Sequence, residues 1–213
     1  MNRRLFWISL LLLWSLAPML WQLISSFTTT AALVDASTPF TQRWTLSHYR
    51  QLLSSDPPFW RFLLNSTALA STSTVLTITL AIPAAYGLVR LPQRWLRLSR
   101  GLIAGAALFP YVLLFLALLE LARSLNLGNS LFALAIPYSA LSLPLALLLL
   151  TAAFEGLPKD LDDAAKLEGM SLMQRLRWVL IPLITPATAS TAILVFLFAW
   201  NEYPIALHLA EPE

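Results

Sequence analysis

The residues best placed for chemistry lie in one polar break within an apolar chain. It reads Leu157-Pro158-Lys159-Asp160-Leu161-Asp162-Asp163-Ala164-Ala165-Lys166-Leu167-Glu168-Gly169, followed by Ser171 to Pro182. The chemistry it offers is electrostatic docking rather than catalysis. Pro158 suits the first turn of a helix, where a missing N–H costs nothing. Asp160, Asp162 and Asp163 crowd that helix start, where carboxylates meet the positive end of the dipole. Asp162 and Lys166 stand at i,i+4 spacing. Leu157, Leu161, Ala164, Ala165 and Glu168 share much of one side. Gly169 suits a left-handed helix end. Ser171-Leu172-Met173-Gln174 then reads as a capping box opening a second helix, which carries Arg175 and Arg177. The prediction is a helix, a glycine turn and a helix along the membrane surface. Ala164 and Ala165 leave a shallow patch that a soluble partner's groove can approach closely. A passive connector resting on headgroups is the competing reading, and the acidic first helix disfavours it beside a negative inner leaflet.

Little else in the chain supports a reaction. There are no cysteines, so disulfides and thiolate chemistry are excluded. His48 and His208 stand far apart and neither has a second histidine at ligand spacing, so no metal site is expected. A convergent set of nucleophile, base or metal groups is not visible, and no catalytic residue is assigned. None of the six glycines precedes a lysine, so a phosphate-binding Walker A loop is missing. Ionisable groups inside spans are costly and mark candidate sites. Asn201, Glu202 and Tyr203, after Trp200, are candidate solute-pathway residues; an interfacial carboxylate paired to a neighbouring helix is the alternative for Glu202. Glu120 and Arg123 read as an interfacial i,i+3 pair.

The elements that must position these residues follow from hydropathy. The chain has 213 residues, 58% hydrophobic and only 12% charged, with mean hydropathy +0.69, which places it in the membrane class. A helix needs roughly 20 apolar residues to cross the hydrocarbon core. Five segments qualify, at about 5–27, 65–89, 101–122, 131–154 and 183–207. The expected fold is therefore all-α: one polytopic helical membrane domain over residues 1–213, with an outside loop at 28–64 and a cytoplasmic hairpin at 155–182. Asn2-Arg3-Arg4 resembles a signal-peptide start, but the apolar run is too long and lacks a prompt cleavage site, so it reads as an uncleaved first span. With the N-terminus inside, Arg3, Arg4, Arg90, Arg94, Arg97, Arg100, Lys159, Lys166, Arg175 and Arg177 are all cytoplasmic, ten of the 14 basic residues. That bias fits a cytoplasmic N-terminus in an inner or plasma membrane. The net charge of +3 thus speaks to orientation, and no nucleic-acid partner is expected.

Finer features carry paired readings. Thr45 to Leu53 is predicted to form a short surface helix capped by Ser47. The second span is rich in hydroxyls, including Ser66, Thr67, Ser71, Thr72, Ser73, Thr74, Thr77 and Thr79, which either pack against a neighbouring helix or line a polar pathway. Pro18, Pro83, Pro110, Pro137 and Pro144 fall in or near spans and are expected to kink them. Gly101-Leu102-Ile103-Ala104-Gly105 is read as ordinary close packing rather than a dimerisation face.

The stretch from Asp163 to Pro182 resembles the EAA loop of the membrane subunits of binding-protein-dependent ABC importers. That pattern is Glu-Ala-Ala, three residues, Gly, nine residues, Ile, one residue, Leu-Pro. Here it reads Asp163-Ala164-Ala165, Gly169, Val179 and Ile181-Pro182, with spacing intact and three conservative departures. Ala81-Ile82-Pro83-Ala84-Ala85-Tyr86-Gly87-Leu88-Val89-Arg90, Asn65-Ser66 and Trp200-Asn201-Glu202-Tyr203 are similar to blocks of the maltose-type sugar permeases, in their second membrane subunit. The likeness covers most of Met1–Ala206. It implies a second permease subunit, a cytoplasmic ATPase dimer that uses the ATP, an external solute-binding protein, and no cofactor bound by this chain. It also implies that Asp163, Ala164, Ala165, Gly169 and Pro182 couple to the ATPase, with Asp163 pairing a basic group. A permease for another solute, or an ion-coupled carrier, is the alternative; a carrier would place more charge at mid-span than Glu202 alone. The family has six spans, and this chain stops at Glu213 after the fifth, which is expected to reflect a truncated frame or a shortened variant.

Overall fold

The computed structural model describes residues 3–34, 44–110 and 131–201, and between these last two only 114, 117, 118, 120, 121 and 124. Among the described residues the chain is helical, apart from an isolated antiparallel bridge between Thr28 and Trp44. Contacts divide the chain into two compact units, Met1–Leu63 and Leu64–Glu213.

The first unit holds α1 (Arg3–Ser26), α2 (Thr30–Val34) and α3 (Ser47–Leu53). Pro18 sits inside α1 without ending it. The segment leading into α3 folds back on the end of α1: Thr45 N donates to Phe27 O (2.7 Å), and His48 Nε2 lies 3.0 Å from Thr28 O. The Ser26 and Tyr49 hydroxyls lie 2.7 Å apart, and the Phe27 and Tyr49 rings stack at 5.3 Å. Ser47 is the first helical residue of α3 rather than its cap. Leu46 occupies the cap position without a side-chain bond, and the Thr45 hydroxyl, two residues before Ser47, accepts from Ser47 N (3.1 Å).

The second unit carries the bundle. α4 (Phe59–Val89) straddles the boundary, starting directly after Pro58 and six residues before its apolar run begins. The aromatic and basic residues Phe59-Trp60-Arg61 form this first turn, which hydropathy alone leaves out of a span. α5 (Gln93–Leu108) starts in the arginine-rich stretch read as a connection, with Pro92 in the capping position, and ends at Phe109, extended before Pro110. The rest of the predicted third span and the Glu120–Arg123 pairing lie wholly or partly outside the described residues. α6 (Leu131–Glu155) contains Pro137 and Pro144 within one continuous helix.

Two apolar clusters fix the direction of these helices. One joins Ala81, Ala85 and Tyr86 of α4 to Ala146, Leu150 and Phe154 of α6; the other joins Leu69 and Ala70 to Ala135 and Tyr138. α4 and α6 therefore run the same way, and the segments that follow them lie at one end of the bundle. The buried stripe of α4 is Ala70, Ser73, Thr77, Ala81 and Ala85. These small residues let helix backbones approach where lipid offers no hydrophobic drive. Thr77 and Thr74 donate back to Ser73 O and Ala70 O, and Ser139 of α6 donates across to Ser73 O at 3.1 Å. Ser73 and Thr77 thus take the packing role, whereas Thr67, Ser71 and Thr79 face outward. Gly101 and Gly105 also face outward, with nothing among the described residues near a Cβ at either.

The hairpin follows α6. α7 (Lys159–Leu167) ends at Gly169, whose φ is +77°; Met170 N bonds back to Ala165 O and Gly169 N to Lys166 O. α8 (Leu172–Arg175) opens on the predicted capping box, with Ser171 and Gln174 exchanging side-chain and backbone bonds. A π-turn (Leu176–Leu180) and α9 (Ile181–Leu183) lead on to α10 (Thr185–Asn201), across a bend of 83°. The wide turn has a local cause. Pro182 has no N–H to offer, and its ring would press on the carbonyl of Trp178 in a regular helix. The backbone widens just ahead of it, with Ile181 N reaching Leu176 O. α10 returns toward the opposite end, since Val195 joins the first cluster and Ala199 the second.

By length and apolarity Arg4–Ser26, Phe59–Val89 and Ala135–Glu155 can each cross a membrane, and the bent pair Leu172–Leu183 and Thr185–Asn201 can form a fourth, broken span. Gly169 offers a clean test of the turn. A Cβ there would meet no atom within 4 Å, so only the positive φ penalises a side chain. Gly169→Val should destabilise the protein by roughly 1–2 kcal/mol, the cost of the left-handed region for an L-residue, and Gly169→Asn by less. Thermal melting in mild detergent checks this; equal midpoints for the two variants would refute the assignment.

Candidate functional site

α7 is only nine residues long, too short to be stable without support. Its residues sort sharply by side. Asp160, Leu161, Asp163, Ala164, Lys166, Leu167 and Glu168 are exposed, Leu167 at 90%. Asp162 and Ala165, one turn apart, point inward and are 1% and 7% exposed. The expected alanine patch is therefore half present: Ala164 faces out and Ala165 packs inside. The predicted lateral pairing also shifts. Lys166 Nζ reaches Asp163 Oδ1 at 3.3 Å, leaving Asp162 to the interior. That exposed pair contributes little stability.

Asp162 is the centre of the site. Its Oδ2 accepts from the Tyr86 hydroxyl (2.9 Å) and from Arg90 Nη2, and its Oδ1 accepts from Arg175 Nη1 (2.8 Å). Arg175 is itself mostly buried, with 11% of its side chain exposed, and its Nη1 also lies 3.5 Å from the Tyr86 hydroxyl. The Arg90 guanidinium sits 4.9 Å from the Tyr86 ring centre, a cation–π contact. The same ring meets Phe154 of α6 edge-on at 5.8 Å. One carboxylate thus joins α7, α8 and the C-terminal end of α4 with Arg90 just after it. Charges in such a place are costly to desolvate, and removing one partner of a buried pair typically costs about 3–5 kcal/mol. A second ion pair, Arg100 with Glu155, links α5 to α6 near this end; both side chains are about a third exposed, so it is weaker.

Around this centre α7 stands partly free of its neighbours. A cavity of about 480 Å³ opens between the end of α4, the start of α5 and the α6–α7 turn, lined by Arg90, Gln93, Glu155, Pro158, Asp162 and Leu180. The attachment of α7 is therefore concentrated at Asp162 and Ala165 rather than spread along an apolar seam.

The structure gathers some of the sequence-predicted residues and separates others. Asp163 and Ala164 share the open side of α7, and Gly169 forms the turn. Pro182 lies beyond the π-turn, exposed, and shapes the backbone rather than joining the α7 surface. Asn201 ends α10, exposed, with its Nδ2 donating to Leu197 O (2.8 Å). Glu202 and Tyr203 lie outside the described residues. No group of three or more metal-ligating side chains occurs among the described residues. Sequence reasoning missed the Tyr86–Arg90–Asp162–Arg175 cluster. The available signal was the i,i+4 spacing of Tyr86 and Arg90 at the inner end of a span, facing a short helix with more carboxylates than its first turn needs.

Comparison with known proteins fits this geometry. The model of the family described as the binding-protein-dependent transport system inner membrane component matches residues 73–212, which include α7 and all four residues of the cluster. The sulfoquinovosyl glycerol transport system permease protein SmoH of Agrobacterium fabrum is 42% identical over 200 residues, covering 93% of this chain and 70% of that protein. The trehalose/maltose permease protein MalG of Thermococcus litoralis is 36% identical over 90% of this chain and 69% of its own length. The trehalose permease protein SugB of Mycobacterium tuberculosis is 35% identical, over 92% and 71%. The chain therefore belongs to the binding-protein-dependent transport system inner membrane components, as a multi-pass ABC importer permease subunit that is a transport component and not an enzyme.

Proposed function

We propose that this subunit lets a cytoplasmic ATPase pair drive uptake of a sugar or related solute, which an external binding protein delivers and a second permease subunit helps to conduct. The observation that carries the reading is the α7 surface: a short helix held from within, offering Asp163, Ala164 and Leu167 outward. Such a surface suits a groove with basic and apolar walls. Asp163 supplies the charge, Ala164 allows close approach, and Leu167 supplies the apolar anchor. ATP is bound and hydrolysed by the partner, in keeping with the missing Gly-Lys phosphate loop. The sugar class is supported by the solutes named for the three relatives, which are sugars or sugar glycosides. Asn201, Glu202 and Tyr203 supply the amide, carboxylate and aromatic types that sugar binding uses. The excess of Arg and Lys on the α5 and hairpin side supports a cytoplasmic N-terminus.

Affinity purification in mild detergent should recover an ABC ATPase and a second permease with the wild-type chain. Asp163→Lys should reduce the recovered ATPase by at least about tenfold, because like charges meeting at a contact cost several kcal/mol. Undiminished recovery would remove Asp163 from the contact. The chain's lack of cysteine makes orientation easy to read. In spheroplasts, Glu168→Cys should resist a membrane-impermeant maleimide added outside and react once the membrane is opened. Labelling from outside would invert the topology.

A further inference from the structure

The outward side of α7 explains docking, but it does not explain how displacement of so small a helix reaches the bundle. The inward side bears on this. Among the described side chains of α7, Asp162 and Ala165 turn fully into the protein. That carboxylate takes donors from three residues on two other elements: Tyr86 and Arg90 at the inner end of α4, and Arg175 of α8. The two carboxylate oxygens divide these partners, one facing α4 and the other α8. Arg90 and Tyr86 stand one helical turn apart and also contact each other through guanidinium and ring. α4 therefore grips Asp162 at two points rather than one, which opposes rotation of α7 as well as translation. The cavity between α7 and the start of α5 leaves α7 without comparable support on that side.

We propose that Asp162 is the mechanical link between the hairpin and α4: a positioning residue whose charge-assisted bonds make α7, α8 and the inner end of α4 move as one body. The role differs from docking, since Asp162 is 1% exposed and cannot meet the ATPase. It also differs from general stability, because it predicts which distances stay fixed during turnover. This inference rests on the reading of the hairpin as the ATPase contact.

The experiment uses the full complex, purified with its partner subunits and reconstituted in liposomes. Solute carried per ATP hydrolysed is measured for the wild type and for Asp162→Asn, which keeps the shape and removes the charge. The expected result is a fall in that ratio of at least tenfold in Asp162→Asn, with ATPase recovered at wild-type stoichiometry. Spin labels at Gly87→Cys on α4 and Glu168→Cys at the end of α7 supply a readout that a merely structural role would not move. Their separation should stay constant between nucleotide-free and ATP-bound states when Asp162 is present, and should change between those states in Asp162→Asn. An assembled Asp162→Asn complex with a wild-type ratio and an invariant separation overturns the link while leaving the docking reading intact. If Asp162→Asn does not assemble, Arg90→Lys and Tyr86→Phe decide the question, since each leaves two donors on the carboxylate. A ratio lowered at least twofold in either supports the link, and wild-type ratios in both overturn it. Absence of any ATPase from the wild-type complex overturns the docking reading and the link together.

Discussion

The end of the bundle where α4 and α6 finish is organised around one buried carboxylate. Asp162 lies on a helix too short to stand alone, and the inward face of that helix offers little apolar area to hold it. Apolar burial therefore holds α7 only weakly, although Leu176 and Leu180 further along the hairpin join the core cluster. Directional bonds to two arginines and a tyrosine hold α7 instead. An apolar plug of the same volume is often as stable, since desolvating ions offsets much of their attraction. It would not specify orientation in the same way. A carboxylate with partners divided between its two oxygens tolerates only one arrangement of α4, α7 and α8.

Deeper in the membrane the helices meet by another rule. α4 presents Ala70, Ser73, Thr77, Ala81 and Ala85, and α6 answers with Ala135, Ser139, Ser142 and Ala146. Most of these hydroxyls are satisfied on their own helix: Thr77 by Ser73 O, Ser139 by Ala135 O and Ser142 by Tyr138 O. Only Ser139 also reaches across, to Ser73 O. Contacts of this kind bring helices close with few directional ties between them. The bundle thus combines a smooth interior with a tightly specified inner end.

Much of this was legible in the sequence, for reasons particular to each part. The membrane class and the main apolar helices follow from hydropathy, which one long segment expresses many times over. The hairpin was legible because Pro158, Gly169, Ser171 and Gln174 each carry a local backbone preference that tertiary contacts did not overrule. The helix starts at Phe59 and Gln93 were not, because interfacial aromatic and basic residues carry no apolar signal. The partition of the acidic run was hidden too. Asp162 and Asp163 are adjacent and identical, and only a rotation of about 100° around the helix separates the buried carboxylate from the exposed one. That rotation is set by Tyr86, Arg90 and Arg175, which lie 76, 72 and 13 residues away. The π-turn before Pro182 needed the same kind of knowledge, since a proline can be met by a kink, a break or a widened turn.

The two ends of the hairpin segment are built differently, and the difference gives direction to any force applied to it. At its start the segment is tied to α4 through Asp162. At its end it passes through a π-turn, a three-residue helix and a bend of 83° before α10 begins. A π-turn is a rare single-turn widening of a helix, frequent at functional sites. Ile184, at the bend, still gives α10 its first bond through Thr188 N, so α10 is anchored as a helix in its own right. In the proposed coupling, motion of α7 passes to α4 through Asp162 and to α10 only across the 83° bend. Two spans joined to one hairpin would in this way respond unequally, with α4 following the hairpin while α10 turns about its own start. An unequal response of that kind changes the spacing between spans, whereas equal coupling would only carry the bundle along as a block.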